Sequence, residues 1–243
     1  MFTPDSGGVQ SSQDPRASFA ELSKIMLGEQ PLSATLARVA ELAKQTIPGA
    51  ADVSVTLMSD SEVESAAFTG PLAAQLDERQ YESGFGPCMD AAISGGSIVI
   101  DDTATSTIYP DFARVARHRG VTHTLSTGLP VQRQIIGGIN IYGTDGGAFD
   151  DHTRELATTF AGYAAVAVAN AGLYASTAQL AGHLQRALES RAVIDQAKGI
   201  LMSRHRISAD AAFDLLTKES QLANRKLREI ARDLVDEVQL GSD

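Results

Sequence analysis

The chain has 243 residues, of which 43% are apolar and 21% charged, and its formal net charge is −10. That is an ordinary globular composition, with room for one large domain or two small ones. Its one cysteine, Cys88, excludes an intramolecular disulfide framework and a multi-cysteine zinc cluster and fits a reducing cytoplasm.

Residues 1–16, rich in Gly, Ser and Pro, read as a disordered leader. They show no basic-then-apolar signal pattern, and no run in the chain approaches a membrane span, so a cytoplasmic protein without a membrane partner is expected. Residues 17–47 predict two helices split at Gly28–Pro31, the second with an apolar stripe of Leu32, Leu36, Val39, Ala40 and Ala43. The period then changes to two. "ADVSVTLMSD" is a half-buried strand and "EVESAAFTG" its hairpin partner. "PLAAQLDERQYESG" is a helix ending near Gly84. "GPCMDAAISGG" and "SIVIDD" are a short helix and a strand, and "PDFARVARHRG" is a helix closed by Gly120. "THTLSTGLPVQRQIIGGINIYG" gives two strands about a turn near Gln132–Gln134, with "INIY" central in the sheet. The fold expected is α+β: a mostly antiparallel sheet with packed helices, a long helix, and a small all-α end.

From "FDDHTRELATTF" onward no breaker occurs for about 55 residues, a span on the order of 80 Å if helical. Asp150 or Asp151 can cap its start. Leu173, Thr177, Leu180, Leu184, Ala187, Arg191 and Ile194 recur at alternating spacings of four and three, a coiled-coil seam that implies pairing with a second copy. Two helices broken near Gly172 or Gly182 remain the alternative. Beyond it, Ser208 is an N-cap for "ADAAFDLLTKESQLA", and Asn224 is expected to cap "RKLREIARDLVDEV".

Charge is unevenly spread. Ten basic and ten acidic residues leave residues 175–243 neutral, so residues 1–174 carry the whole −10. A patch, not the total, sets phosphate affinity. One such patch is visible in "VIDQAKGILMSRHRIS". As a helix, it places Val193, Ile194, Ala197, Ile200 and Leu201 on one flank. The other carries Arg191, Asp195, Lys198, Met202 and Arg206, with Gly199 beside them. Glycine inside a helix costs about 1 kcal/mol relative to alanine, so something should compensate.

Other features carry little chemistry. Cys88 in "GPC" has a redox or chromophore reading, but a small buried hydrophobe is the ordinary one. His118, His123 and His152 lack ligand spacing. "GGIN" and "GTDGG" are glycine turns rather than a phosphate loop. Asp101–Asp102 before Thr103 reads as the end of a strand rather than a catalytic pair, and no nucleophile–base pattern is present. Neither an enzyme nor a bound cofactor or metal is expected.

"LESRAVIDQAKGILMSRHRISADAAFDLLTKESQLANRKLREIARDLVDE" closely resembles the ANTAR domain, the family of bacterial RNA-binding transcription antiterminators, over roughly residues 184–238. The carriers are Arg191, the "AKGILM" core, the "AFDLL" helix and a third helix opened by Asn224. The resemblance implies a dimeric three-helix unit that binds paired stem-loops with six-base loops in nascent mRNA leaders and prevents a terminator from forming. On that basis Arg191, Asp195, Lys198, Gly199, Met202, Arg206, Ser220, Asn224, Arg225, Lys226 and Arg228 are the candidate RNA-binding residues. Gly199 lets a loop approach the backbone, Met202 adapts to a base face, and Arg191 and Lys198 hold phosphates or base edges. The plainer reading is a solvated charged face, with Met202 packed on a neighbouring helix and Asn224 simply a cap.

"QYESGFGPCMDAAISGGSIVIDD", "YPDFARVARHRGVTHTLSTGLPV" and "GGINIYGTDGGAFDD" resemble a GAF domain over about residues 35–172. This implies a small-molecule sensor or dimerisation module, with a pocket for an unknown ligand between the sheet and the helices after Gly86 and Pro110. The cysteine partners of sulfoxide-reducing GAF relatives are missing. So is a receiver domain, which puts phosphorylation control in doubt. The organisation expected is a leader at 1–16, a sensor domain at 17–172, a coiled-coil linker at 173–183 and an RNA-binding domain at 184–243. The function expected is a dimeric, ligand-responsive antiterminator. The alternative is a small-molecule-sensing or protein-interaction module without RNA activity, whose basic faces dock an acidic partner.

Overall fold

A computed structural model describes residues 14–25, 30–59, 62–131 and 134–240. Most of the expected leader lies outside these residues, and Pro15 and Arg16, assigned to it from sequence, begin the first helix. In chain order the elements are α1 (Pro15–Ile25), α2 (Leu32–Thr46), β1 (Asp52–Ser59), β2 (Glu62–Phe68), α3 (Pro71–Ser83), α4 (Pro87–Ser94), β3 (Ser97–Ile100), α5 (Pro110–His118), β4 (His123–Val131), β5 (Gln134–Gly143), α6 (Asp151–His205), α7 (Ala209–Ala223) and α8 (Leu227–Leu240). They form two compact units, residues 1–175 and 176–243.

The first unit is built on a five-stranded sheet of order β2-β1-β5-β4-β3, with every neighbouring pair antiparallel. Strand alternation gives it two unlike faces. Val53, Val55, Leu125, Leu129, Ile139 and Ile141 pack against Leu22 of α1, Leu36, Val39 and Leu42 of α2, and Phe160, Ala164, Ala165 and Val168 of α6. The opposite face carries Ser54, Thr56, Thr124, Ser126, Asn140 and Tyr142, and these too are buried. The helices on this side bring Ala73 and Leu76 of α3 and Phe112 and Ala116 of α5 together with Ile100, Val121 and Tyr142. The register of β1 shifts between Val55 and Thr56. Opposite this shift Gly137 has φ +153°, and a Cβ there would collide with the Thr56 carbonyl, so only glycine fits.

Helix α6 runs unbroken for 55 residues through Gly172 and Gly182. Asp150 caps it by accepting the Thr153 N–H at 2.8 Å. The expectation that no run approaches a membrane span needs correction. By length and composition α6 is long and apolar enough to cross one. The reason is its alanine-rich stretch, whose Phe160, Ala161, Ala164, Ala165, Ala167 and Val168 are buried within the first unit. A core helix covered on one side passes the same test.

The second unit joins the last part of α6 to α7 and α8. Its core is small: Ala197, Leu201, Ala212, Leu216, Ala231 and Val235, with Val193, Ile194, Ile200, Ile207, Leu227, Ile230 and Leu234 packed around them. One alanine from each helix lies at the centre, which lets three backbones approach closely. Helix α6 stops at Arg206, whose φ is +54°. Ser208 caps α7, its hydroxyl accepting the Ala211 N–H at 3.2 Å. Asn224 does not open the third helix as expected. It closes α7 in the left-handed conformation with φ +51°, its N–H bonded to the carbonyls of Ser220 and Gln221, and α8 begins only at Leu227. Asparagine tolerates this conformation better than most residues, so the same side chain suits a helix end as well as a start.

Candidate nucleic-acid interface

The last turns of α6 present the predicted basic face. Arg191 is exposed, with Nε 3.7 Å from Oδ2 of Asp195, and Lys198 Nζ lies 3.7 Å from Oδ1 of the same carboxylate. One acid thus holds two cations at helical spacings of four and three, in pairs loose enough to be exchanged for phosphate at little cost. Lys198 is only 24% exposed on its side chain. Its ammonium sits 5.9 Å from the centre of the Phe213 ring of α7, close enough for a cation–π attraction that orients it. Met202, one turn further on, is 38% exposed rather than packed in the core.

Gly199 has no protein atom within 4 Å of where a Cβ would be. No crowding inside this unit therefore requires glycine. It opens instead onto a groove of about 730 Å³ between α6 and α8, lined by Gln196, Ile200, Ser203, Arg204, Val235 and Val238. The remaining predicted residues lie at the helix ends. Arg206 is exposed at the left-handed turn after α6. The Ser220 hydroxyl donates to the Arg225 carbonyl at 2.5 Å and so serves, with Asn224, the α7–α8 connection. Arg225 is engaged by acids, with Nη1 2.7 Å from Asp233 and Nε 3.8 Å from Glu229, and the Asp233 hydrogen bond raises its already high pKa. Lys226 and Arg228 are exposed and, with Arg206 and Arg232, make no ion pair among the described residues. With Arg186 and Lys218, also exposed and outside every ion pair of the described residues, they are the cations of this unit open to an anionic partner. Arg228 and Arg232 are one turn apart on α8, so they share a face.

Sequence reasoning missed the groove beside Gly199 and the acids that mask Arg225. The spacing of Arg225, Glu229 and Asp233 along one side of the chain was the available signal.

In the first unit the sequence places the ligand space between the sheet and helices α4 and α5. Side chains of the polar sheet face beneath the helices bond to one another and to α3. Asn140 Nδ2 donates to Ser54 Oγ and Thr56 Oγ1 at 3.1 Å each, the Tyr142 hydroxyl donates to Asp77 of α3, and Thr56 Oγ1 lies 2.9 Å from the Tyr81 hydroxyl. Burial, and then the Asp77 charge, holds the Tyr142 phenol well above its ordinary pKa, so it stays a donor. Cys88 is fully buried at the edge of this network. Burial first, and then Asp77, pushes its thiol far up, which suppresses the reactive thiolate. Asn140 Oδ1 and Thr124 Oγ1 are buried with no hydrogen-bond partner. No group of three or more potential metal-ligating side chains occurs among the described residues.

The comparisons with known proteins follow the same division. The GAF domain family matches residues 29–169, and the ANTAR domain family matches residues 182–235. No curated protein matches the chain. Among solved structures, the chain is similar to the GAF domain of a phosphoenolpyruvate-protein phosphotransferase from Coxiella burnetii (16% identity, 68% of this chain and 99% of that one, TM-score 0.52). It is also similar to free methionine-R-sulfoxide reductase from Neisseria meningitidis in complex with its substrate (18% identity, 71% and 99%, TM-score 0.51). A third is the phycoerythrobilin-bound GAF domain of a cyanobacterial phytochrome (12% identity, 67% and 97%, TM-score 0.52). At these identities the likeness is one of fold. The chain belongs to the GAF domain family and carries an ANTAR domain behind it, the architecture of an RNA-binding antitermination regulator with a sensor module.

Proposed function

We propose that this protein is a dimeric antiterminator that binds two stem-loops with six-base loops in a nascent mRNA leader and so prevents a terminator hairpin from forming. The observation that carries this reading is the outer side of α6. Arg191, Lys198 and Met202 stand in a row there, beside a glycine whose missing side chain opens a groove. Unpaired loop nucleotides offer phosphates to the cations and flat faces to the thioether. Arg206, Lys226 and Arg228 add charge for the stem backbones.

Dimerisation rests on α6 as well. Of the seam expected from the sequence, the stretch from Leu173 to Ala187 leaves Leu180 59% and Leu184 58% exposed, whereas Arg191 stands in the outer row and Ile194 packs on the core of the second unit. The same alternation of three and four continues upstream through Tyr163, Val166 and Asn170, all exposed on the first unit. A polar residue such as Asn170 at an a position of a parallel coiled coil fixes register. Residues 17–172 then act as sensor, 173–183 as linker and 184–243 as the RNA-binding part. The protein acts as a regulator, without catalysis, in the cytoplasm where leaders are transcribed.

A gel shift with a tandem six-base-loop RNA tests the reading. Lys198→Ala and Arg191→Ala should each weaken binding by about 1–3 kcal/mol where they read a base, and reduce the salt slope where they meet a phosphate. Wild-type affinity in both variants overturns the assignment of this face.

A further inference from the structure

The first unit contains a cavity whose lining residues come from helices and the turn after α3, none of them from the sheet. It lies between α3 and α5 and has a volume of about 210 Å³. Drug-sized ligands occupy pockets of roughly 300–1,000 Å³, so this cleft has room for one ring with a short polar group. Its apolar part is Phe112, nearly buried, and Val115, half-buried. At its rim Phe85 leaves half of its surface (50%) in water. A phenyl ring held out beside a cavity lined by a second phenyl ring is suited to covering a planar guest.

The charged groups that line the cleft are two arginines and one carboxylate, Asp111. Arg79 enters from α3 and Arg114 from α5. Each guanidinium is now held by a carboxylate three residues away, Arg79 by Glu82 at 2.9 Å and Arg114 by Asp111 at 3.3 Å. Exposed pairs of this kind are weak, so either fork is free to turn onto a ligand carboxylate, whose geometry it matches. Gln80 supplies a fixed anchor. It is buried, its Oε1 accepts the Cys88 N–H at 2.9 Å, and its Nε2 makes only a long 3.4 Å hydrogen bond to the Leu76 carbonyl, which leaves a second N–H to donate. A Cβ on Gly86 would collide with the Gln80 amide, so the glycine makes room for this placement.

We infer that the α3–α5 cleft binds a small aromatic carboxylate, with the ring between Phe85 and Phe112 and the carboxylate shared by Arg79 and Arg114. Through Gln80 and the Cys88 backbone, the occupied cleft is one hydrogen bond from the start of α4. Only the regulatory meaning of the site rests on the proposed function; the binding itself does not.

Titration calorimetry on the full chain, with benzoate as probe and benzamide as its uncharged isostere, tests this. Benzoate should bind, and benzamide should bind about tenfold more weakly or not at all. Arg79→Gln and Arg114→Gln should each weaken benzoate by about tenfold, and Phe85→Ala should weaken both probes. Asp111→Asn removes a competing carboxylate and should tighten benzoate without changing benzamide. All four positions are exposed, so thermal unfolding without ligand should not move, which separates an effect on the ligand from an effect on the fold. Absence of benzoate binding, equal binding of the two probes, or indifference to both arginine substitutions overturns the site. A gel shift with and without benzoate distinguishes the two readings. Unchanged RNA affinity with benzoate bound leaves the cleft standing and removes its sensory role, whereas failure of any stem-loop to bind counts against the proposed function alone.

Discussion

The two units handle polar chemistry in opposite ways. In the GAF unit, Asp77, Asn140, Tyr142, Ser54 and Thr56 are buried and bonded mainly to one another, so their hydrogen bonds form part of the fold. In the ANTAR unit, Arg191, Lys226, Arg228 and Arg232 lie at the surface, and the core beneath them is little more than alanine, leucine and valine. A buried polar group left unpaired costs about 1–3 kcal/mol, whereas an exposed cation removed costs almost nothing in stability. Substitutions in the first unit should therefore be read mainly in folding, and those in the second mainly in binding.

The largest test of that contrast is Asp77→Ala. It leaves the buried Tyr142 hydroxyl without its acceptor, a loss of about 1–3 kcal/mol, while Asn140 keeps its bonds to Ser54 and Thr56. Urea unfolding of the first unit should shift accordingly, while RNA affinity changes only as far as the unit unfolds. A change below about 0.5 kcal/mol would mean that the network is not structural.

The converse is Arg228→Ala with Arg232→Ala. Stability should stay within about 0.5 kcal/mol, while the dependence of RNA affinity on salt becomes shallower by about one unit for each phosphate that no longer meets a cation. An unchanged slope would place the RNA elsewhere on this unit.

His123 gives the contrast a pH dependence. It is buried at the end of the sheet, 4.4 Å from the Phe149 ring centre, with Nδ1 hydrogen-bonded to Thr122 Oγ1 at 2.9 Å. Burial lowers its pKa below the ordinary 6.5, against the smaller opposite pull of Asp145 and Asp101. The neutral ring is thus the folded form, and the unfolded chain takes up its proton first. This contribution to stability is fully present above about pH 6.5 and is lost as pH falls through the lower folded value. His123→Gln should flatten stability between pH 7 and the acid limb in the first unit, and leave the unfolding of residues 176–243 unaffected.

The legible parts of the molecule were those with a strong local period or cap. Val53, Val55 and Leu57 announced β1, Ser208 announced α7, and the seam from Leu173 to Ile194 announced an unbroken α6. Asn224 was misplaced because a residue that caps helix starts also tolerates the left-handed end of one, and only the geometry of the following turn decides. The polar sheet face was illegible for a different reason. Alternation tells which side chains share a face, and Ser54, Thr56 and Asn140 read naturally as facing water. That α3 and α4 cover them depends on pairings between residues 60 to 90 positions apart, such as Asn140 with Ser54 and with Asp77. The cleft between α3 and α5 is equally non-local. The mask on Arg225 was closer to hand, in acids four and eight residues on, but a row of charges on a helix does not say which of them pair.

The smallest expected effect is the most discriminating, because it separates stability from binding at one atom. Alanine at Gly199 adds a methyl group where no protein atom lies within 4 Å. In a helix interior this should stabilise the second unit by up to about 1 kcal/mol, since the unfolded chain loses freedom and nothing in this unit is displaced. If the groove beside it admits an RNA loop, the same methyl group fills space that the loop needs, and affinity for the tandem stem-loop should fall while the unfolding midpoint rises. A purely structural glycine would move both quantities in the same direction or leave affinity untouched. Leucine at the same position, still pointing into open space, should deepen the loss of affinity, so the pair of substitutions grades the effect by volume. A rise in midpoint with unaltered affinity in both variants would show that RNA does not approach this part of α6, and Arg191 and Lys198 would then have to act from the far side of the groove.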